Sequence, residues 1–292
     1  MFSFEEKIIE ATVEKLIHGK DYRREVVNDI NVKFLDFTLE FFKKIVDAKI
    51  NDEKINLDWY KKYFLSEENF DKSDIAIFSG INLKTINNIC GTTTKKIVID
   101  VANQNFDYLK NLIHQLEIDG EGDLNIQIKI TKNAVSVDLN LSESLIVLNA
   151  LATKKIALRG GAWSAIGKRV EKPLLIKLCK ICGVSEKNYN AENFIRDKNL
   201  DFDREVDFKF YSNDGKEYRC EVKLMGTGNP ESADAVIARN SDIFVADTLS
   251  TQNKNQLQDL KICWLELKNH SHEEIISQFK KILEKLNIPF EK

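Results

Sequence analysis

Two segments of alternating polarity, Glu205 to Tyr211 and Glu217 to Met225, flank the triplet Asn213-Asp214-Gly215. Apolar residues fall on every second position of each, the period of a strand with one buried face. Asn-Asp-Gly suits a three-residue hairpin loop, a type I turn closed by glycine in the left-handed region, and sets Ser212 against Lys216. Counting back from there pairs Val206 with Val222, Phe208 with Cys220 and Phe210 with Tyr218, so that one face is apolar throughout. The other face pairs Asp207 with Glu221, Glu205 with Lys223 and Lys209 with Arg219. A two-residue loop would shift the count by one and scatter apolar side chains over both faces.

Directly opposed residues have Cβ atoms about 5 Å apart, and like charges there repel. Asp207 against Glu221 therefore needs a compensating partner. A divalent cation is one: Mg²⁺ takes hard oxygen ligands and sits on one or two carboxylates plus phosphate and water. Lys223 lies on the same face, about 6–7 Å along the strand from Glu221, where it could orient a water and offset charge building on a phosphate. The competing reading is a solvated strand face with one poor carboxylate pair. An acid-x-Lys pattern alone is weak in a chain with 30% charged residues, and Glu5-Glu6-Lys7, Asp47-Ala48-Lys49, Asp52-Glu53-Lys54 and Asp259-Leu260-Lys261 match it too. The first three lie in helical or loop sequence, where i and i+2 diverge. Glu266-Leu267-Lys268 with Asp247 is the serious rival, but the helix between them implies a parallel connection in which the two acids need not meet.

Around the hairpin the rest of the chain is ordered simply. From Phe4 to about Cys90 apolar residues recur three and four apart, as in Phe34, Phe37, Phe41 and Ile45, which predicts packed helices. A helix over about Asn103–Leu116 should stop near Asp119-Gly120, followed by a hairpin of Ile126, Ile128, Ile130 and Val135, Val137, Leu139 turning at Lys132-Asn133. Another helix should run from about Ser142, break at Arg159-Gly160-Gly161, and resume to Cys182 with a kink at Pro173. Asn229-Pro230 reads as a helix start, cap then first-turn proline. Strands at 242–247 and 261–267 alternate with helices near 253–260 and 272–286. The fold class expected is α+β to α/β, a helical region over 1–140 and a mixed sheet flanked by helices over 141–292.

Composition removes some classes. A formal charge of −3 argues against coating nucleic acid by bulk positive charge, although an acidic chain can concentrate its cations on one face. Residues 154–172 do so, with Lys154, Lys155, Arg159, Lys168, Arg169 and Lys172 against the single acid Glu171; a solvated helix face is the alternative. No apolar run is long enough to span a membrane and the acidic N-terminus is unlike a signal peptide, which leads to a cytoplasmic expectation. Five cysteines do not suggest a disulfide framework. Cys179-x-x-Cys182 lacks two further ligands at zinc spacing and sits among Leu175, Leu178 and Ile181, which favours buried core. None of His18, His114, His270 and His272 has the setting of a general base, and His270-Ser271-His272 reads as surface at the start of the last helix.

Asp207 followed by Glu221-Val222-Lys223 resembles the PD-(D/E)xK nuclease superfamily, which includes most type II restriction endonucleases. The runs Arg159-Gly160-Gly161-Ala162-Trp163-Ser164-Ala165-Ile166-Gly167-Lys168-Arg169-Val170-Glu171-Lys172-Pro173-Leu174 and Gly226-Thr227-Gly228-Asn229-Pro230-Glu231-Ser232-Ala233-Asp234-Ala235 resemble the CfrBI-like group of restriction enzymes. The likeness covers roughly residues 155 to 267 and not the helical first half. Val206 stands where the superfamily name has proline, which weakens the motif more than the chemistry. The resemblance implies a further metal ligand on the helix ahead of the hairpin, which by position is Glu171. A surface acid pairing with Lys168 or Lys172 is the plain alternative.

Together these readings lead to the expectation of a metal-dependent endonuclease cutting double-stranded DNA at a specific sequence. Mg²⁺ is the expected cofactor, Mn²⁺ a substitute, and Asp207, Glu221 and Glu171 the ligands. A palindromic target would favour a homodimer, and a restriction enzyme implies a methyltransferase encoded nearby. Lys168, Arg169 and Arg159 are candidate phosphate contacts, Arg159 beside two glycines that permit close approach. Arg239-Asn240 has residue types suited to base edges, though capping and salt bridging account for such a pair as well. A repair or recombination nuclease with the same core and a DNA-binding protein without catalysis remain open at this point.

Overall fold

The computed structural model describes residues 4–66, 68, 70–119, 127–132, 135–191, 208–224 and 241–291. Within these, helices α1 (Phe4–Ile17), α2 (Arg23–Ile50), α3 (Leu57–Phe64), α4 (Lys72–Phe78), α5 (Leu83–Cys90) and α6 (Lys95–Asp119) precede the hairpin β1 (Ile128–Lys132) and β2 (Val135–Leu139). The long α7 (Leu141–Ile181) leads to β3 (Tyr189–Asn190), β4 (Phe208–Tyr211), β5 (Glu217–Lys223), β6 (Ile243–Ala246), α8 (Thr251–Asp259), β7 (Cys263–Glu266) and α9 (His272–Lys285). A helical N-terminal region followed by a mixed sheet flanked by helices is thus the fold, as the sequence pattern predicts. The helix expected at Asn229-Pro230 lies outside the described residues.

The chain divides into two compact units, one of residues 1–29 with 162–292 and one of residues 30–161. The second unit is helical apart from β1–β2, whose register runs from Ile128 opposite Leu139 to Lys132 opposite Val135. Its core is aromatic: Phe41, Tyr60, Phe64, Phe78 and Phe106 are buried together with Trp59. Tyr60 stacks on Phe106 with centroids 5.1 Å apart, and Phe41 meets Phe64 edge-on at 5.0 Å.

The first unit holds the five-stranded sheet in the order β3-β4-β5-β6-β7. β4 runs antiparallel to both of its neighbours, β3 and β5, while β5, β6 and β7 run parallel. Parallel neighbours need a covering crossover, and α8 supplies the one between β6 and β7. Ser250 caps α8 in a reciprocal box with Asn253, and Ser271 caps α9 with Glu274 in the same way. Phe210 on one sheet face meets Phe279 of α9 at 6.2 Å. On the opposite face Phe244 and Ala246 cluster with Leu249 and with Leu257 of α8. The C-terminal turn of α1 presses onto the loop before α9 so closely that a Cβ on Gly19, at φ +62°, would lie 2.1 Å from the carbonyl oxygen of His270.

One expectation fails on α7. The helix does not break at Arg159-Gly160-Gly161 but continues for 41 residues through both glycines and Pro173. Two glycines cost a helix only about 1 kcal/mol each. The row Ala162, Ile166, Val170, Leu174, Leu178, all buried, repeats every four residues and holds the C-terminal half against its core. At the other end Asn140 and Glu143 close a capping box, with Glu143 N–H to Asn140 Oδ1 at 2.9 Å and Asn140 N–H to Glu143 Oε2 at 3.0 Å. Packing at one end and capping at the other outweigh the local penalty.

A candidate nuclease site on the central strand

The β4–β5 hairpin has the register that its turn dictates. Phe208 opposes Cys220, Lys209 opposes Arg219 and Phe210 opposes Tyr218. Gly215 takes φ +78°, and the Ser212 N–H donates to the Lys216 carbonyl at 3.0 Å. The described ladder ends at Phe208; Asp207, the next residue back, lies outside the described residues, as do Arg239 and Asn240.

Glu221 and Lys223 share one face of β5, beside Phe244 and Ala246 of β6. Glu221 is only 5% exposed, while Lys223 is half-buried. A carboxylate taken out of water in the middle of a strand costs several kcal/mol unless charge or hydrogen bonds offset it. Its own donor is carboxylate oxygen, a ligand type that suits Mg²⁺ or Mn²⁺ and not a soft metal. Among the described residues no three His, Cys, Asp or Glu side chains come together in a metal-sized cluster. Glu171 is half-buried on α7, and its Oε1 lies 3.9 Å from where a Cβ on Gly167 would stand, so the side chain runs back along its own helix.

The rival acids are used otherwise. In the β6–β7 register Ala246 opposes Glu266, so Asp247, one residue on, faces the other side of the sheet from Glu266. Glu266 accepts from Lys254 Nζ at 2.7 Å and from the Leu249 N–H at 2.9 Å. Asp247, 3% exposed, accepts from the Tyr22 hydroxyl at 2.9 Å and from the Thr248 N–H at 2.9 Å. Burial, and after it the charge of Asp247, push the Tyr22 hydroxyl far above the usual tyrosine range, so it stays a donor. Nothing in the sequence singles out Tyr22, which lies 225 residues from its partner.

The basic stretch separates into held and exposed cations. Lys154 Nζ lies over the rings of Phe37 and Phe78. Lys155 lies over Phe34 and donates to Asn31 Oδ1 at 2.7 Å. Arg169, expected at a phosphate, pairs with Glu5 at 3.0 Å and with buried Asp29 at 3.6 Å, a brace among α1, α2 and α7. Arg159 and Lys168 are exposed, and Lys172 is half-buried.

The cysteines and histidines behave as structure. Cys179 and Cys182 are buried, and burial pushes both thiols up, Cys182 to about 11. His18 and His272 stack with centroids 4.7 Å apart. Their Nδ1 atoms donate to the carbonyls of Glu14 and Ile17 at 2.7 and 2.9 Å, closing the C-terminus of α1. His272 is thus half-buried against α1 rather than free at the surface.

A family model described as CfrBI restriction endonuclease matches residues 6–254. The chain belongs to the CfrBI restriction endonuclease family. Membership in this family makes it a nuclease of a restriction system, acting on DNA. The match takes in the helical first half, which the motif-based resemblance leaves uncovered, and ends inside α8. No curated protein and no solved structure matches the chain. No helix among the described residues is long and apolar enough to cross a membrane.

Proposed function

We propose that this CfrBI-family nuclease is a type II restriction endonuclease that hydrolyses double-stranded DNA at a specific sequence with Mg²⁺, for which Mn²⁺ substitutes. The observation that carries the reading is a buried carboxylate, Glu221, two residues before Lys223 on the central strand of a mixed sheet. Asp207 and Glu221 would hold the cation, and Glu171 would complete the site. When bound, the cation supplies Lewis-acid polarisation of the phosphate and shields the developing negative charge.

The chain's own part is positioning. The Lys223 ammonium orients the attacking water and stabilises the charge that builds on the phosphate oxygens. The water oxygen forms the new bond to phosphorus as the bond to the 3′ oxygen breaks, leaving 5′-phosphate and 3′-hydroxyl. Exposed Lys168 and Arg159 serve as phosphate contacts, and Arg239-Asn240 as candidates for base edges. The sheet-bearing region provides the nuclease core, and the helical region provides recognition or dimerisation. A two-fold symmetric target calls for a homodimer, with a cognate methyltransferase encoded nearby and a cytoplasmic setting.

The test is cleavage of a mapped plasmid by wild type and Lys223→Ala, in Mg²⁺, Mn²⁺ and EDTA. Wild type should give discrete fragments only with metal, and Lys223→Ala should lose at least about 10²-fold in rate. Full activity of the variant removes Lys223 from the mechanism, and fragments formed in EDTA remove the cation.

A further inference from the structure

Trp163, on α7, is 45% exposed, although its indole is large and apolar. It is also held in place: its ring meets Tyr22 edge-on, with centroids 6.0 Å apart and planes at 72°. Tyr22, 6% exposed, is anchored by its hydroxyl to Asp247 at the end of β6. An exposed aromatic backed in this way presents a fixed face to solvent at little entropic cost.

Residues four apart on a helix lie in one row, so Trp163, Gly167 and Glu171 line up along α7. Among the described residues, a Cβ on Gly167 would lie 3.9 Å from Glu171 Oε1. The row thus has an exposed aromatic at one end and a half-buried carboxylate at the other, with buried Gly167 between them. Lys168, next to Gly167 in the chain, is exposed. Eight residues of helix span about 12 Å, or about three to four nucleotides of one B-form strand along its axis.

We infer that Trp163 is a DNA-backbone contact of this nuclease. The inference rests on the reading that Glu171 belongs to the cleavage site. The indole face packs on a deoxyribose while its N–H reaches a phosphate, the amphipathic use for which tryptophan is suited. Exposed Lys168 steadies a phosphate alongside.

The test uses the full chain and a linear duplex carrying a mapped cleavage site, with Ca²⁺ in place of Mg²⁺ for binding and Mg²⁺ for turnover. DNA should quench the tryptophan fluorescence of wild type, and Trp163→Phe should lose that response, because Trp59 is buried and Trp264 partly so. Trp163→Ala should raise Kd and KM by about tenfold, with kcat at saturating DNA within about twofold of wild type. Wild-type binding by Trp163→Ala, with the quench retained in Trp163→Phe, overturns the inference. Conversion of a wild-type dimer to a monomer by Trp163→Ala also overturns it, in favour of a second copy of the chain as the occupant. If wild type binds DNA and quenches but does not cleave in any metal, the cleavage-site reading fails while the contact stands.

Discussion

The two units bury different things. The helical unit, residues 30–161, is organised around rings, and its one buried acid among the described residues, Glu143, caps α7 and pairs with Lys49 at 2.6 Å. The sheet-bearing unit buries Glu25, Asp29, Glu221 and Asp247. Glu25 is answered by Lys15, Asp29 by Arg169 and Asp247 by Tyr22. Ring packing stabilises outright. Buried acids, even paired, contribute little net stability. The contrast separates a unit built to hold its shape from one built to hold charge.

The sharpest way to break this contrast is to remove one ring. Phe41→Ala should cost about 3–5 kcal/mol in denaturant unfolding, because Phe41 is 1% exposed and touches Tyr60, Phe64 and Phe37. A loss below about 1 kcal/mol would mean that the aromatic cluster is not what holds the helical unit. The complementary change in the other unit is Glu221→Gln. It should lower the cleavage rate about 10²–10³-fold while leaving stability within about 1 kcal/mol, because a neutral amide of the same shape relieves burial of charge. Wild-type cleavage by this variant would leave Glu221 as a structural acid and undo the comparison.

A smaller effect compares two buried tyrosines. Tyr22 donates to the carboxylate of Asp247, whereas Tyr60 donates to the neutral carbonyl of Phe78 at 3.1 Å. Tyr22→Phe should cost about 1.5–3 kcal/mol and Tyr60→Phe about 1 kcal/mol. Burial pushes the pKa of both hydroxyls far above the usual tyrosine range. Each is therefore fully stabilising below the unfolded tyrosine value near about pH 10. Above it only the unfolded chain gives up the proton, so stability falls as pH rises, and either Phe variant should show a shallower alkaline decline. Equal costs for the two changes would show that Asp247 does not depend on Tyr22.

What the sequence disclosed follows from the range of the forces involved. The β4–β5 register was legible because alternation and an Asn-Asp-Gly turn are both local and agree. So was the β1–β2 hairpin. The continuity of α7 was not, since Gly160-Gly161 signals a break locally and the buried row that overrides it depends on distant partners. Tyr22 with Asp247, and Arg169 with Glu5 and Asp29, join residues far apart in the chain and leave no pattern in it. Glu221 and Lys223 could be named from their strand alone, but the burial of Glu221 depends on β6, the neighbour that a parallel connection brings in.

The smallest test lies within α7, which passes from one unit to the other. Among the described residues nothing stands within 4 Å of the place an alanine methyl would take at Gly160 and Gly161, and at Gly167 only the Glu171 carboxylate does. Each glycine lies in helix interior, where alanine is favoured by about 0.5–1 kcal/mol. Alanine at each position should therefore raise stability by about that amount, measured by denaturant midpoint at constant slope. A gain at Gly160 and Gly161 but a loss at Gly167 would show that the row beside Glu171 is more crowded than its geometry indicates. A loss at all three would mean that α7 needs the freedom of glycine where it leaves the helical unit, and that the two halves of this helix are not equally rigid.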